Sequence, residues 1–141
     1  MSESFDIELR VRYGETDQMG VVYHANYLDW FEVGRTEWMR QSGVHYRSLE
    51  EEGVLLPVTE ARLKYIQSAK YDDHIRVTTR IASYNKVRLT FGYEVRRLPD
   101  NELLVAGTTE HVFINREGQV LRIAKTHPEI HEVLAGKGGD S

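Results

Sequence analysis

Apolar and polar residues alternate along several stretches of the chain, which is the period of a strand that buries one face. The clearest stretches run from Phe5 to Tyr13, from Ile75 to Ile81 and from Val87 to Val95. A further run extends from Leu103 to Ile114, and a weaker one from Leu55 to Tyr65. Five strands are therefore predicted, and the turn residues between the last three strands favour an antiparallel meander.

A helical period replaces this alternation after His24. One face of the predicted helix carries Tyr27, Phe31, Gly34 and Trp38, and further apolar residues cover most of the remaining surface. We therefore expect a helix, ended by Gly43, that the rest of the fold wraps. Because Gly34 costs about 1 kcal/mol relative to Ala in a helix interior, we expect another backbone to approach it closely.

Shorter elements complete the predicted order. Helices are expected near 46–52 and 128–134, and a short extended segment from Val120 to Ile123 follows a turn at Gly118. Residues 1–135 are expected to form a single domain, and 136–141 a disordered tail. A chain of 141 residues can bury a substantial core but is too small for separate cofactor and substrate domains.

Composition narrows the class of protein. A hydrophobic share of 40% and a charged share of 28% are ordinary for a globular protein. No apolar run approaches the roughly 20 residues that span a bilayer, so membrane insertion is not expected. The net charge of -4 argues against general nucleic-acid binding, and the absence of cysteine excludes disulfides and thiolate catalysis. The N-terminus has no apolar signal-peptide core, so the cytoplasm is the expected location.

Several catalytic classes lack their sequence pattern. No G-x-S-x-G occurs, so a serine nucleophile elbow is absent, and no glycine-rich phosphate loop occurs either. His127 and His131 have the spacing of two metal ligands on one helix face, but no HExxH context surrounds them. We interpret them as a surface pair and expect no metal site.

One segment, from Tyr13 to Phe31, combines an acid with a predicted helix start. Asp17 lies in a glycine-punctuated loop seven residues before His24. Such a loop can direct a carboxylate and the free N–H groups of a helix start towards one small volume, as hydrolysis of an activated carbonyl requires. An acid before a helix is more often a turn former or a solvated side chain, so spacing alone does not assign Asp17. Glu15 is the nearest competing acid.

The same segment resembles the signature of the 4-hydroxybenzoyl-CoA thioesterase family, including its bacterial acyl-CoA thioester hydrolase branch. The matching positions are Asp17, Gly20, Val22, Tyr23, His24, Asn26 and Tyr27. One strand, one long helix and four further strands is also the element order of the hotdog fold. The resemblance implies an α+β hotdog fold, with a curled antiparallel β-sheet wrapped around a long central helix. It also implies a homodimer, whose sheets join edge to edge and whose active sites lie at the dimer interface. A tetramer is the alternative assembly.

The resemblance further implies hydrolysis of an acyl-CoA thioester without a metal or redox cofactor. Asp17 occupies the family's acidic position and would act either as a nucleophile or as a general base. The backbone N–H of His24, with that of Tyr23, would stabilise the oxyanion. The His24 ring would either form a simple hydrogen bond or orient Asp17 or a water molecule. Asn26 is expected to start the helix and to bond to the catalytic loop, and it is also a candidate substrate-binding residue.

Coenzyme A carries phosphates, so basic residues are expected near the mouth of the pocket. The candidates are Lys86, Arg88, Arg122 and Lys125. Each of them could equally be a solvated residue on a sheet face. Aromatic, short aliphatic and long aliphatic acyl groups all remain compatible with the sequence. Acyl carrier protein could replace coenzyme A, although the net negative charge disfavours an acidic partner.

Two other functions fit the same fold. A hotdog hydratase or dehydratase would act on an enoyl thioester, and would place a catalytic histidine with an acid rather than an isolated loop aspartate. A non-catalytic acyl-CoA-binding protein usually needs an output domain, for which this chain has no room. Asp17 also disfavours a purely binding role.

Overall fold

The structure is a computed structural model and describes residues 3–138. Within this range the strands are β1 (Ser4–Arg10), β2 (Val58–Tyr65), β3 (His74–Tyr84), β4 (Arg88–Leu98) and β5 (Glu102–Val112). The helices are α1 (Asn26–Gln41), α2 (Tyr46–Glu51), α3 (Ile123–Thr126) and α4 (Pro128–Gly138). None of these helices is both long and apolar enough to cross a bilayer.

The five strands form one antiparallel sheet in the order β1-β3-β4-β5-β2. Strands β3, β4 and β5 form the predicted meander, whereas β2 pairs with the far side of β5. The chain therefore crosses the sheet between β2 and β3, and β1 and β2 become the two edges. The predicted α+β hotdog architecture is confirmed.

Helix α1 packs its large side chains against this sheet. The buried residues are Tyr27, Trp30, Phe31, Gly34, Trp38 and Met39. The Phe31 ring stacks on Tyr93 of β4 with centroids 4.1 Å apart. The opposite side of α1 is not wrapped, because Leu28 and Val33 remain 39% and 51% exposed. The sheet therefore covers one side of α1, and in the single chain the expected wrapping does not reach these two residues.

Gly34 lies where α1 approaches β3 most closely. A Cβ built at this position would overlap Thr79 Oγ1 and lie 3.2 Å from Val77 Cγ1. The close approach is as predicted, but the neighbouring atoms belong to side chains rather than to another backbone. A residue without a side chain is needed here because Thr79 is fully buried and cannot move into solvent.

Several element boundaries differ from the predicted ones; β2, for example, begins at Val58 and β5 ends at Val112. Strand β1 ends at Arg10, and a 3-10 turn at Tyr13–Glu15 replaces the end of the predicted strand. In the expected extension after Gly118, Val120 forms only an isolated bridge and the buried Ile123 starts α3. Helix α4, anchored by the buried Leu134, continues through Gly138 into the predicted tail, 136–141. The remainder of that tail, 139–141, lies outside the described residues.

A chain of hydrogen bonds crosses the core beneath α1. The Tyr93 hydroxyl lies 2.6 Å from Thr109 Oγ1, which lies 2.8 Å from His111 Nε2. His111 Nδ1 donates to the Leu56 carbonyl at 3.1 Å, so its Nε2 accepts from Thr109. Burial lowers the pKa of His111 to about 4, and the nearby positive charge of Arg35 acts in the same direction. His111 is therefore neutral near physiological pH.

We expect Gly34→Ala to lower the free energy of unfolding by about 2 kcal/mol. Overpacking against Thr79 costs about 1–3 kcal/mol, which exceeds the gain in helix propensity of about 1 kcal/mol. In a Thr79→Ala background most of this loss should disappear, because the remaining Thr79 atom would lie 3.7 Å from the added Cβ. Urea unfolding of the four proteins measures this coupling, and an unchanged loss in the Thr79→Ala background would contradict it.

Gly136→Ala provides the matched control for that experiment. Gly136 also lies in a helix, but an added Cβ would meet nothing within 4 Å. Its replacement should raise the free energy of unfolding by at most about 1 kcal/mol, from helix propensity alone.

The buried His111 should make the protein lose stability on mild acidification. The folded state keeps the imidazole neutral down to about pH 4, whereas the unfolded state takes up a proton below about pH 6.5. The contribution of the neutral His111 to the free energy of unfolding is therefore complete above about pH 6.5. It falls by about 1.4 kcal/mol per pH unit as the pH drops towards 4. Comparing the pH dependence of urea unfolding for wild type and His111→Gln isolates this group. Equal slopes in the two proteins would contradict the assignment.

Candidate active site

Asp17 lies in a tight loop that its own side chain helps to close. The Asp17 N–H donates to the Val21 carbonyl at 2.9 Å, and Asp17 Oδ1 accepts from the Met19 N–H at 2.8 Å. Gly20 has a φ of +79°, a conformation that favours glycine. Asp17 is half-buried, and its second carboxylate oxygen accepts no hydrogen bond from residues 3–138. One oxygen thus holds the loop while the other remains available for chemistry.

The backbone carbonyl of Glu15 joins this loop to the start of α1. It accepts from the Tyr23 N–H at 2.9 Å and from Asn26 Nδ2 at 2.7 Å. The predicted hydrogen bond between Asn26 and the loop is therefore confirmed. Because Asn26 is the first residue of α1, the contact fixes Asp17 relative to the helix start.

Both oxygens of the Glu15 carboxylate accept hydrogen bonds that hold the fold together. Its Oε1 accepts from the Arg12 N–H at 2.8 Å, and its Oε2 from the Trp30 indole N–H at 2.9 Å. Burial alone would raise the pKa of Glu15, but these hydrogen bonds and the Arg12 charge together lower it below its usual value. Glu15 therefore stays ionised and occupied, and it is not the acid that is free to react.

The segment before β3 supports the loop from the other side. The Val22 N–H donates to the Ala69 carbonyl at 2.9 Å, and the Ala69 N–H donates to the Tyr27 hydroxyl at 3.2 Å. The Tyr65 hydroxyl, at the end of β2, donates to the His24 carbonyl at 3.1 Å. The helix start is thus held by two elements that follow it in sequence.

The amides at the helix start are not equivalent. The Tyr23 N–H is occupied by the Glu15 carbonyl, so it is not free to stabilise an oxyanion. The His24 N–H, by contrast, has no acceptor in the part of the chain that the structure describes. No side chain caps α1 at Ala25 either, so the positive end of the helix dipole is left open. The predicted pair of amides is reduced to His24, because Tyr23 is needed to close the loop.

The His24 imidazole packs among aromatic rings. Its centroid lies 4.5 Å from that of Tyr23 and 6.4 Å from that of Tyr65. Among residues 3–138 it forms no hydrogen bond with Asp17. The geometry therefore contains no histidine–aspartate pair.

The four predicted basic residues lie far from Asp17 within one chain. The Asp17 loop packs against residues 69–73, before β3, whereas Lys86 and Arg88 follow the other end of this 11-residue strand. That strand is roughly 33 Å long. Arg122 and Lys125 follow β5, which ends at the residue paired with Arg88. Arg88 is also paired with Glu110 at 2.9 Å.

The two histidines with metal-ligand spacing have separate partners. His127 Nε2 lies 2.8 Å from Glu52 Oε1, and His131 Nδ1 lies 2.7 Å from the Tyr84 hydroxyl. The first contact joins the residue before α4 to the residue after α2, and the second joins α4 to the end of β3. Each histidine therefore connects elements of the fold through its own partner.

Sequence reasoning missed the structural roles of three residues that build the site: Glu15, Trp30 and Tyr65. A signal existed for Trp30, since it stands four residues after Asn26 and so shares its helix face. No local pattern indicates Tyr65, whose contact with His24 spans 41 residues.

Comparisons with known proteins identify the family of this chain. The sequence pattern of the thioesterase-like superfamily matches residues 11–136. The putative acyl-CoA thioesterase YneP of Bacillus subtilis is 39% identical over 125 residues, or 88% of this chain and 90% of that protein. The acyl-CoA thioesterase YbgC of Haemophilus influenzae is 34% identical over 79% of this chain and 81% of that protein.

A solved thioesterase structure has the same fold. The DHNA-CoA thioesterase from Staphylococcus aureus superposes with a TM-score of 0.91 at 33% identity, covering 94% of this chain and 89% of that chain. The resemblance found in the sequence is therefore confirmed, and the chain belongs to the thioesterase-like superfamily.

Proposed function

We propose that the protein hydrolyses acyl-CoA thioesters to the free acid and coenzyme A. The observation that carries this proposal is that one Asp17 carboxylate oxygen and the His24 N–H at the helix start both lack a hydrogen-bond partner among residues 3–138. Both belong to one rigid unit, because the Glu15 carbonyl holds the loop and the helix together. Relatives named as acyl-CoA thioesterases support the same reaction.

The reaction uses Asp17 in one of two ways. As a nucleophile, its carboxylate attacks the thioester carbon, expels the thiolate of coenzyme A and forms a mixed anhydride that water then hydrolyses. As a general base, it takes a proton from the water that attacks the same carbon. In both routes the carbonyl oxygen becomes an oxyanion, which the His24 N–H and the positive end of α1 stabilise.

The active form is proposed to be a homodimer. Leu28 and Val33 on α1 and Val58 and Tyr65 on β2 are large exposed apolar or aromatic residues, and β2 is an unpaired sheet edge. A second copy placed along β2 would pair this edge and cover Val58 and Tyr65, and its contact with α1 would cover exposed apolar surface there. It would also allow the four remote basic residues to reach coenzyme A from the partner subunit. A cytoplasmic location stays a prediction.

Asp17→Asn should lower thioester hydrolysis by at least about 100-fold, because the amide can act neither as nucleophile nor as base. The loop should survive, since the amide oxygen can still accept from the Met19 N–H. Release of free thiol from acyl-CoA measures turnover, and thermal unfolding checks the fold. Enoyl-CoA absorbance, followed in parallel, separates hydrolysis from hydration. Near-normal thiol release by the folded variant would refute the proposal.

His24→Ala should reduce turnover by less than about tenfold, a much smaller loss than Asp17→Asn causes. The variant keeps its backbone N–H, and loss of an oxyanion donor would cost about 2.7–4 kcal/mol of barrier lowering. Both variants are compared in the same thiol-release assay. If the two losses are equal and both proteins are folded, the His24 ring takes part in the chemistry.

A further inference from the structure

One hydrogen bond joins the interior of α1 to the segment that carries Asp17. The Trp30 indole N–H donates to Glu15 Oε2 at 2.9 Å. Trp30 is buried, and its ring packs edge-on against Tyr27 with centroids 5.0 Å apart. It lies one helical turn after Asn26, and so beyond the residue at which this helix begins and could fray. The core therefore holds the donor of this bond in place.

The acceptor has few ways to replace this donor. The Glu15 side chain is only 12% exposed, so water reaches it poorly, and its Oε1 already accepts from the Arg12 N–H at 2.8 Å. The Arg12 guanidinium lies 3.6 Å from Oε2, but its side chain is 82% exposed, and such an exposed ion pair is weak. Within residues 3–138 Trp30 is therefore the one buried donor to Oε2.

A displacement of Glu15 would reach both groups that the proposed reaction uses. Only Thr16 separates Glu15 from Asp17, so their Cα atoms lie at most about 7 Å apart. The Glu15 carbonyl also accepts from the Tyr23 N–H at 2.9 Å, directly before His24 in the chain. Movement of Glu15 would thus change the position of the Asp17 carboxylate relative to the His24 N–H.

Hydrolysis is sensitive to such a change because the carboxylate and the oxyanion donor act on one carbonyl group. Reacting atoms must come within about 3–3.5 Å of each other, and a misplacement of about 1 Å can slow a reaction about 100-fold. Most atoms of an acyl-CoA lie beyond this carbonyl. Binding of the whole substrate should therefore depend less on these two groups than the chemical step does.

We infer that Trp30 and Glu15 form a positioning pair, in which the Trp30 indole N–H acts through the Glu15 carboxylate to hold Asp17 and the His24 N–H in their reactive arrangement. Neither residue of the pair touches the reacting atoms. The inference rests on the proposed hydrolysis of acyl-CoA, and it makes the rate of that reaction depend on a hydrogen bond inside the fold.

The alternative role for Trp30 is packing alone, and Trp38 provides the matched control. Trp38 is the other tryptophan of the chain, lies on the same helix and is also buried. Its indole N–H donates to the Glu3 carbonyl at 3.1 Å. Eight residues, or roughly 12 Å along the helix axis, separate the two tryptophans. Trp38→Phe therefore removes the same atoms at a place remote from the Asp17 loop.

The first test measures thiol release from acyl-CoA by wild type, Trp30→Phe and Trp38→Phe. Trp30→Phe should lower kcat by at least about tenfold, because Glu15 loses the donor that fixes it. Trp38→Phe should keep kcat within about twofold of wild type, although thermal unfolding should show that both variants lose stability. A non-hydrolysable CoA thioether should bind all three proteins with Kd values that agree within about threefold.

Glu15→Gln tests the pair from the acceptor side. The amide keeps the size of the side chain but places an NH₂ group opposite one of the two N–H donors. We expect kcat to fall by at least about tenfold. This variant leaves the buried face of α1 unchanged, so it tests the pair even where Trp30→Phe does not fold. Since both residues act through one hydrogen bond, Glu15→Gln/Trp30→Phe should be slower than the worse single variant by less than about twofold.

Fluorescence tests the bond without turnover. In Trp38→Phe the only tryptophan left is Trp30, so the emission comes from its indole. Adding Glu15→Gln removes the negative charge beside the indole N–H and should shift the emission maximum. An unchanged maximum would overturn the inference, because the indole would then not sense the carboxylate.

The kinetic outcomes separate this inference from the proposed reaction. Normal kcat in folded Trp30→Phe or in Glu15→Gln would overturn the inference and leave hydrolysis intact. Equal losses of kcat in Trp30→Phe and Trp38→Phe, or losses that multiply in the double variant, would also overturn it. A loss of thioether affinity as large as the loss of kcat would do the same, since the pair would then act on binding. If wild type releases no thiol from any acyl-CoA, the proposed hydrolysis fails and the inference fails with it.

Discussion

The site depends on one residue, Glu15, which makes four hydrogen bonds in two directions. Its carbonyl binds Tyr23 and Asn26, and its carboxylate binds Arg12 and Trp30. Hydrogen bonds to a charged group contribute about 1.5–3 kcal/mol each, more than bonds between neutral groups. The side chain is only 12% exposed, so water competes weakly for these bonds. The acidic loop and the start of α1 consequently behave as one unit.

Two acids separated by one residue therefore have different tasks. Glu15 has both oxygens occupied and a lowered pKa, which suits a structural anion. Asp17 uses one oxygen to close its loop, while its other oxygen has no partner in the described part of the chain. The same division applies to two neighbouring amides: the Tyr23 N–H closes the loop, whereas the His24 N–H has no acceptor within 3–138. Structural hydrogen bonds thus determine which groups are left for chemistry.

Local patterns predicted most of the fold because each element has its own period. Strands β3 and β4 alternate clearly, as one face of each meets α1 while the other meets solvent. The Asp17 loop was found through a motif of adjacent residues. The predicted boundaries were wrong where tertiary contacts determine the conformation. At the end of β1, for example, the Val11 N–H bonds to the Asp73 carbonyl instead of continuing the strand.

Contacts between distant residues could not be predicted in the same way. Tyr65 meets the helix start only because β2 crosses to the far side of β5, an order that no strand pattern specifies. The same topology separates Lys86 and Arg88 from Asp17 by the length of β3. Residue type indicated that these cations could bind phosphate, but it carried no information about which end of the sheet they occupy.

The excess of apolar residues on α1 links the fold to the proposed assembly. The sequence predicted a helix wrapped on most sides, yet the sheet covers one side and leaves Leu28 and Val33 exposed. Such exposure is costly in water unless another surface covers it. An acyl chain and a second subunit would cover different parts of this exposed surface. In the proposed dimer, the surface that joins the subunits would also enclose the acyl group.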